Sequence, residues 1–298
     1  MNSIRNLNKC DQITIIIVLY KETAEIVFKT LQTIKNFKII IIDNGGDKFL
    51  KKKICQKFNI EKYILNPKNK GFSAGYNQGI FMSKTTYTMV LNPDCIISED
   101  SVILLSDKLS KYNEAIIVSP RSFDEEKKLT FSSGLLPENG DKNIIFNIDG
   151  DTCVENTLGS CMLFRTEEVI KKNLFFDEFF FLYFSDDDLC RRIKEKKRSI
   201  IQVYNASCVH SHGKMKVKNI FKRTFLREFH FTFDRFYYFF KINKHHDMVN
   251  NFKKKKFNYI VRIFLKLITF QFVDSLKIIS KLIAFSKFID LIKKKRDG

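Results

Sequence analysis

The stretch that most restricts how this chain can fold is Asn69-Lys-Gly-Phe-Ser-Ala-Gly-Tyr-Asn-Gln-Gly79, followed by Asn92-Pro93-Asp94 at the end of an apolar run. Its glycines and asparagines describe backbone that turns tightly, approaches another group closely and then enters a helix. Thr86 to Leu91 reads as a buried strand whose carboxyl end delivers Asp94. In open α/β sheets ligands bind outside the carboxyl ends of the strands, so a carboxylate at that edge is placed to hold a metal ion and phosphates.

The flanking sequence supplies the rest of such a sheet. Ile13 to Tyr20 is a continuous β-branched run, as in a strand buried on both faces, and a helical pattern follows from Thr23 to Asn36. Lys38 to Ile42 repeats the strand signal and ends in Asp43-Asn44-Gly45-Gly46, before a helix over 48–58 and a short strand over 63–65. Strand alternating with helix predicts an α/β fold with a mostly parallel, right-handed, doubly wound sheet flanked by helices. Helix 101–111 and strand 115–118 come next, then a polar, irregular stretch from 121 to 157 that suits an excursion over the active edge. Strand 159–164 and helix 167–172 precede an aromatic run that ends in Ser185-Asp186-Asp187-Asp188, the first turn of a helix reaching about Lys197. Extended segments at 200–204 and 208–210 close a catalytic domain over 1–213, leaving 214–298 as a helical, basic extension.

Charge separates the two parts. Residues 214–298 carry 22 Lys and Arg against 6 Asp and Glu, or +16 of the formal +19, so the first 213 residues keep only +3. The extension can therefore address an anionic surface. The richness in lysine, isoleucine, asparagine and phenylalanine looks like a coding bias, which makes bulk basicity a weak clue. The cysteines at 10, 55, 95, 153, 161, 190 and 208 show no C-x-x-C and no zinc-like spacing, and read as reduced thiols of a cytoplasmic protein. The apolar run after the polar amino terminus is too short for a signal peptide, and none is long enough to span a membrane.

Taken together, VLYKE (18–22), IIDNGGD (41–47), NKGFSAGYNQG (69–79), LNPD (91–94), LGSCMLFR (158–165), FFDEFFFLYFSDDDLCRR (175–192) and VHSHG (209–213) resemble family 2 glycosyltransferases, in particular the bacterial rhamnosyltransferase-like branch. The motifs stand in the family's order over most of the first 213 residues. The resemblance implies a Rossmann-like nucleotide-diphospho-sugar transferase fold, a nucleotide-diphosphate sugar donor, a divalent metal (Mg²⁺ or Mn²⁺) and inversion at the anomeric carbon. Asp94 then matches the last acid of the Asp-x-Asp metal motif, with Asn92 in place of the first. Asp43 matches the acid that reads the nucleobase, and Gly71 and Asn77 fall where the loop meets the nucleotide, beside Asn92. Asp186 matches the catalytic acid of the family's Glu-Asp pair, Ser185 replacing the usual Glu; Asp187 and Asp188 are candidates to compensate, and Asp188 is also the one of the three that suits a structural or acceptor-orienting role. His210 and His212 are candidate metal or pyrophosphate contacts, Gly213 favouring His210.

Each residue also has a plainer reading. Asp94 and Asp43 suit strand-end turns, the acids at 186–188 suit a helix amino terminus, and the two histidines suit a satisfied surface. Aromatic residues before the acids argue for more, because a low-dielectric wall raises a carboxylate toward the pKa of a useful base. The expected function is sugar transfer to a saccharide or lipid-linked acceptor for surface polysaccharide. The rivals are a sugar-phosphate nucleotidyltransferase, for which the first strand lacks a following basic glycine-rich loop, and a noncatalytic nucleotide-sugar-binding scaffold. The Phe-rich stretch 225–240 suits core or interface rather than a stacking platform for nucleic acid. If 260–290 formed one helix, Arg262, Lys266, Lys277, Lys281 and Lys287 would share one face, as in a helix lying in a membrane interface on the inner side of the cell. The alternative is a helical hairpin packed on the catalytic domain or on a second subunit.

Overall fold

A computed structural model describes residues 9–131, 134–140, 148–211 and 219–296. The chain divides into two compact units, Met1–Phe179 with Ser185–Lys214, and Phe180–Phe184 with Met215–Gly298. A boundary at 213 alone does not foresee that five residues from the middle of the chain belong to the second unit.

In the first unit β1 (Ile13–Leu19), β2 (Lys38–Asp43), β3 (Lys62–Leu65) and β4 (Tyr87–Leu91) are parallel, in the spatial order β3-β2-β1-β4. Three helices link them in turn: α1 (Ala24–Thr33), α2 (Lys48–Lys57) and α3 (Gly71–Met82). The β-branched run of β1 is buried on both faces because helices cover both. Ile13, Ile15, Ile17 and Leu19 join Val27 and Leu31 of α1, while Ile16 joins Tyr76 and Ile80 of α3. The α2 start is fixed by Asp47, whose Oδ1 accepts N–H bonds from Phe49 and Leu50, both at 2.9 Å.

Beyond β4 the sheet becomes mixed. Short β5 (Cys95–Ile97), helix α4 (Glu99–Lys111) and β6 (Ala115–Phe123) lead to β7 (Leu129–Phe131), β8 (Thr152–Val154) and β9 (Cys161–Arg165). Strand β9 inserts antiparallel between β4 and β6. After α5 (Thr166–Lys171) and α6 (Ser185–Glu195), β10 (Ser199–His210) pairs parallel with β6 and antiparallel with β5. The two extended segments expected at 200–204 and 208–210 are thus one strand, interrupted by a register shift between Val203 and Ser207.

The second unit consists of α7 (Ile220–Lys241), α8 (His246–Ile268) and α9 (Phe272–Arg296), with Phe236, Val249, Phe285, Phe288 and Ile292 at its centre. The single helix considered for 260–290 does not form. Helix α8 stops at Ile268, where Phe270 takes φ 58° and the N–H groups of Phe270 and Gln271 bond to the carbonyls of Leu267 and Lys266. That pair of bonds is a Schellman termination, and a helical hairpin results. Within this unit the 180–184 segment lies against α7. The Phe180 ring meets Tyr237 at 5.0 Å, and Asp234 Oδ2 accepts the N–H groups of Leu182 (3.2 Å) and Tyr183 (2.9 Å).

Candidate active site

The glycine-rich stretch forms a loop entering α3. Gly71 opens the helix at φ 85°, a conformation that suits glycine, and its N–H bonds Asn69 Oδ1 at 2.9 Å. At Gly79 a Cβ would lie 2.4 Å from Ile16 Cγ2, so only glycine lets α3 lie this close to β1; Gly75 plays the same part against Val18. The loop is held to the β2 end by amides: Asn44 Nδ2 donates to Gly71 O (2.9 Å), and Asn66 Nδ2 donates to Asn44 Oδ1 (2.8 Å) and Gln78 Oε1 (3.0 Å).

Asp43 is buried and engaged by its own turn. Oδ1 accepts from Gly45 N (2.7 Å) and Gly46 N (3.0 Å), and Oδ2 accepts from Asp47 N (3.2 Å) and the Tyr63 hydroxyl (3.0 Å). Burial and the Asp43 charge drive the Tyr63 pKa far above its usual value, which keeps this phenol a donor. Asn77 is buried too, and both ends of its amide hold the Phe176 backbone: Nδ2 donates to Phe176 O (2.8 Å) and also to the Glu178 carboxylate Oε1 (3.0 Å), while Oδ1 accepts from Phe176 N (2.9 Å). Asn77, expected at the nucleotide, spends its amide on bracing the segment that leads toward the acidic helix.

At the β4 end Asn92, Asp94 and His210 converge. His210, the last residue of β10, brings Nε2 to 3.3 Å from Asp94 Oδ1 and 3.4 Å from Asn92 Nδ2. They meet because β10 pairs with β5, placing His210 opposite Cys95, the neighbour of Asp94. Asn92 is steadied by Tyr76, whose hydroxyl donates to Asn92 Oδ1 at 3.1 Å and to Leu91 O at 3.0 Å. Complete burial and the charge of Asp94 raise the Tyr76 pKa, so it donates throughout the ordinary pH range. His212 and Gly213 lie outside the described residues.

The three acids opening α6 have different surroundings. Asp186 keeps part of its surface exposed, and its Oδ2 accepts the Gly159 N–H at 3.0 Å. Asp187 has no exposed surface and accepts from Asn156 Nδ2 at 2.6 Å. Asp188, expected beside Asp186 as a catalytic acid, is fully buried and paired with Arg192 Nε (2.7 Å) and Arg191 (3.4 Å), so it ties the helix together and has no approach to a substrate. Asp186 and the β4 end share one dipeptide, since the Ser160 carbonyl accepts the Asn92 N–H at 2.8 Å while the Gly159 N–H reaches Asp186. A Cβ on Gly159 would stand 2.9 Å from the Phe72 ring and 3.3 Å from Asp186 Cβ, which explains the glycine there.

Asp94 and His210 suit a hard divalent ion. Their donor atoms stand 3.3 Å apart, close enough for a carboxylate oxygen and an imidazole nitrogen to hold one ion between them. Among the described residues no third His, Asp or Glu joins them. A second convergence is not visible in the spacing of the sequence: the thiols of Cys95, Cys161 and Cys208 lie within 4.8 Å of one another, buried.

The family model for glycosyl transferase family 2 matches residues 14–169, more than half of the chain, from the second residue of β1 to beyond β9. The chain belongs to glycosyltransferase family 2. Among curated relatives it is 28% identical over 218 residues to the low-salt glycan biosynthesis hexosyltransferase Agl10 of Haloferax volcanii, covering 67% of each chain. It is also 28% identical over 181 residues to the rhamnosyltransferase WbbL of Escherichia coli, covering 53% of this chain and 67% of that one. The mannosyltransferase PcManGT of Pyrobaculum calidifontis, solved with GDP-Man and Mn²⁺, superposes with a TM-score of 0.54 at 10% identity, covering 93% and 87% of the two chains, a likeness of fold. Membership in family 2 makes glycosyl transfer from a nucleotide sugar the chemistry of this chain.

Proposed function

We propose that this family 2 enzyme is an inverting, metal-dependent hexosyltransferase, moving a sugar from a nucleotide-diphosphate donor to a saccharide or lipid-linked acceptor in surface polysaccharide biosynthesis. The observation that carries the reading is the Gly159–Ser160 dipeptide bonded to Asp186 on one side and to the backbone of Asn92 on the other, two residues from Asp94. One partly exposed carboxylate is thereby set beside a separate carboxylate–imidazole pair, and transfer needs both. Asp94 and His210 would hold Mg²⁺ or Mn²⁺, whose charge offsets that of the departing diphosphate. Asp186 would take the proton of the acceptor hydroxyl as its oxygen attacks the anomeric carbon, the nucleoside diphosphate leaving from the opposite face with inversion. In this reading Gly71 and Asn92 border the nucleotide, and Asp43 acts by shaping the turn beside it. A lipid-linked acceptor would bring the enzyme to the inner face of the cell membrane, met through its basic second unit.

The test is isothermal titration of a nucleoside diphosphate with and without Mn²⁺ on wild type, Asp94→Ala and His210→Ala, with donor hydrolysis followed in parallel. Wild type is expected to bind in a metal-dependent way and to release nucleoside diphosphate, and Asp94→Ala to lose the metal dependence while melting near the wild-type temperature. Release of pyrophosphate instead indicates a nucleotidyltransferase. Binding without turnover, given an acceptor, indicates a scaffold.

A further inference from the structure

Most large apolar side chains of the second unit are packed, but those on one side of α8 are not. Phe257 is 74% exposed, Phe264 62%, Ile268 73% and, in the turn after the helix, Phe270 80%, with Ile260 and Leu265 exposed beside them. At 100° per residue the exposed apolar residues of α8 span an arc of about 160°. Phe252 and Ile263 lie opposite that arc, and Phe252 stacks on Phe285 of α9 at 4.3 Å, so the helix holds its partner with one side and leaves the other uncovered. Contiguous exposed apolar surface of this size marks an interaction site. The exposed Lys253–Lys256 run leads into the arc and Arg262 borders it, whereas Asp247 is the one acid of the helix.

We propose that the uncovered side of α8 and the turn at Phe270 form a docking surface for an anionic lipid bilayer, deepening the membrane part of the functional reading and resting on it for its purpose. Charge selects the occupant. A second copy of the same face has no acid beyond Asp247 to offer these cations, while an anionic leaflet offers headgroups for the cations and hydrocarbon for the phenylalanines. Among the described residues no helix is long and apolar enough to cross a membrane, so the geometry is one of lying in the interface. The arc differs from the face expected of a single 260–290 helix, since Lys266 is turned to Gln271 and Asp274 across the hairpin.

The experiment is co-sedimentation of the full chain with phosphatidylcholine vesicles, with and without phosphatidylglycerol, at low and high salt. Wild type is expected to sediment with the anionic vesicles at low salt. Phe264→Ser combined with Ile268→Ser, and separately Lys253→Gln combined with Lys254→Gln, should each lower the vesicle-bound fraction about tenfold while leaving melting and nucleotide binding unchanged. Sedimentation by both double variants equal to wild type overturns the proposal. So does a lipid-free dimer, seen by light scattering, that the apolar pair of substitutions dissociates, because the face would then be a self-interface. Failure of the transferase reading shows separately, as vesicle binding without metal-dependent nucleotide binding.

Discussion

At the residue scale, one helical turn gives three adjacent aspartates three roles. Asp186 is open and bonded to a backbone N–H, Asp187 is locked by Asn156, and Asp188 neutralises Arg191 and Arg192. Asp186→Asn is expected to lower turnover by about 10²- to 10⁴-fold with little change in melting temperature, the signature of a lost general base. Asp188→Ala should instead destabilise the fold by about 1.5–3 kcal/mol, because it removes the buried carboxylate that accepts from Arg192 and Arg191, although Glu195 and the Phe175 carbonyl still hold the two guanidinium groups, and differential scanning fluorimetry separates the two cases. Gly159→Ala should lower turnover as well, since the added methyl meets Phe72 and Asp186, and parallel kinetics and melting curves would detect it. The place of Asp94 after a buried strand and of Asp186 in the first turn of a helix was legible in the sequence. The brace functions of Asn77, Tyr76 and Asn44 were not, because a buried amide or phenol shows its partner only once distant strands are paired.

At the element scale, the parallel half of the sheet could be read from β-branched runs alternating with helical patterns, whereas β9 could not be placed between β4 and β6 without its pairing. Helix ends were harder to see, and the reason is physical. The chain has only 11 glycines, so the left-handed residue that closes a helix is often something else: Asn173, Lys197, Asn243 and Phe270 take φ of 52°, 53°, 56° and 58°. A termination at Phe270 therefore carries no sequence mark, and a continuous helix through 260–290 looked acceptable. A left-handed conformation strains a side-chain-bearing residue by about 1–2 kcal/mol, and glycine's extra unfolded-state entropy offsets about half of that. Lys197→Gly, at an exposed position, should thus raise stability by about 0.5–1 kcal/mol in urea unfolding. An unchanged midpoint would show that the Lys197 backbone is unstrained.

At the scale of the whole molecule, two measurements report on burial. Cys55 and Cys153 are exposed and the other five cysteines buried, so Ellman's reagent should find two fast thiols in the native chain and the rest only on unfolding. Asp234 sits in the aromatic interior of the second unit, where burial pushes its pKa up to about 7 against the pull of the backbone N–H groups it accepts. Between about pH 4 and 7 the folded chain then binds a proton that the unfolded chain has released, so stability falls as pH rises through that window and levels off above it. Melting temperatures from pH 5 to 8 should fall more for wild type than for Asp234→Asn; parallel curves would show that Asp234 ionises normally. The same carboxylate has a consequence in time. Chains emerge from the ribosome amino end first, and Asp234 is synthesised 51 residues after Tyr183, whose N–H it accepts. The sheet bearing Asp94 and His210 can therefore form on a nascent chain before the 180–184 segment leading into α6 has Asp234 to fasten to. If the proposed roles hold, a product arrested or cut before α7 is expected to hold donor without transferring it.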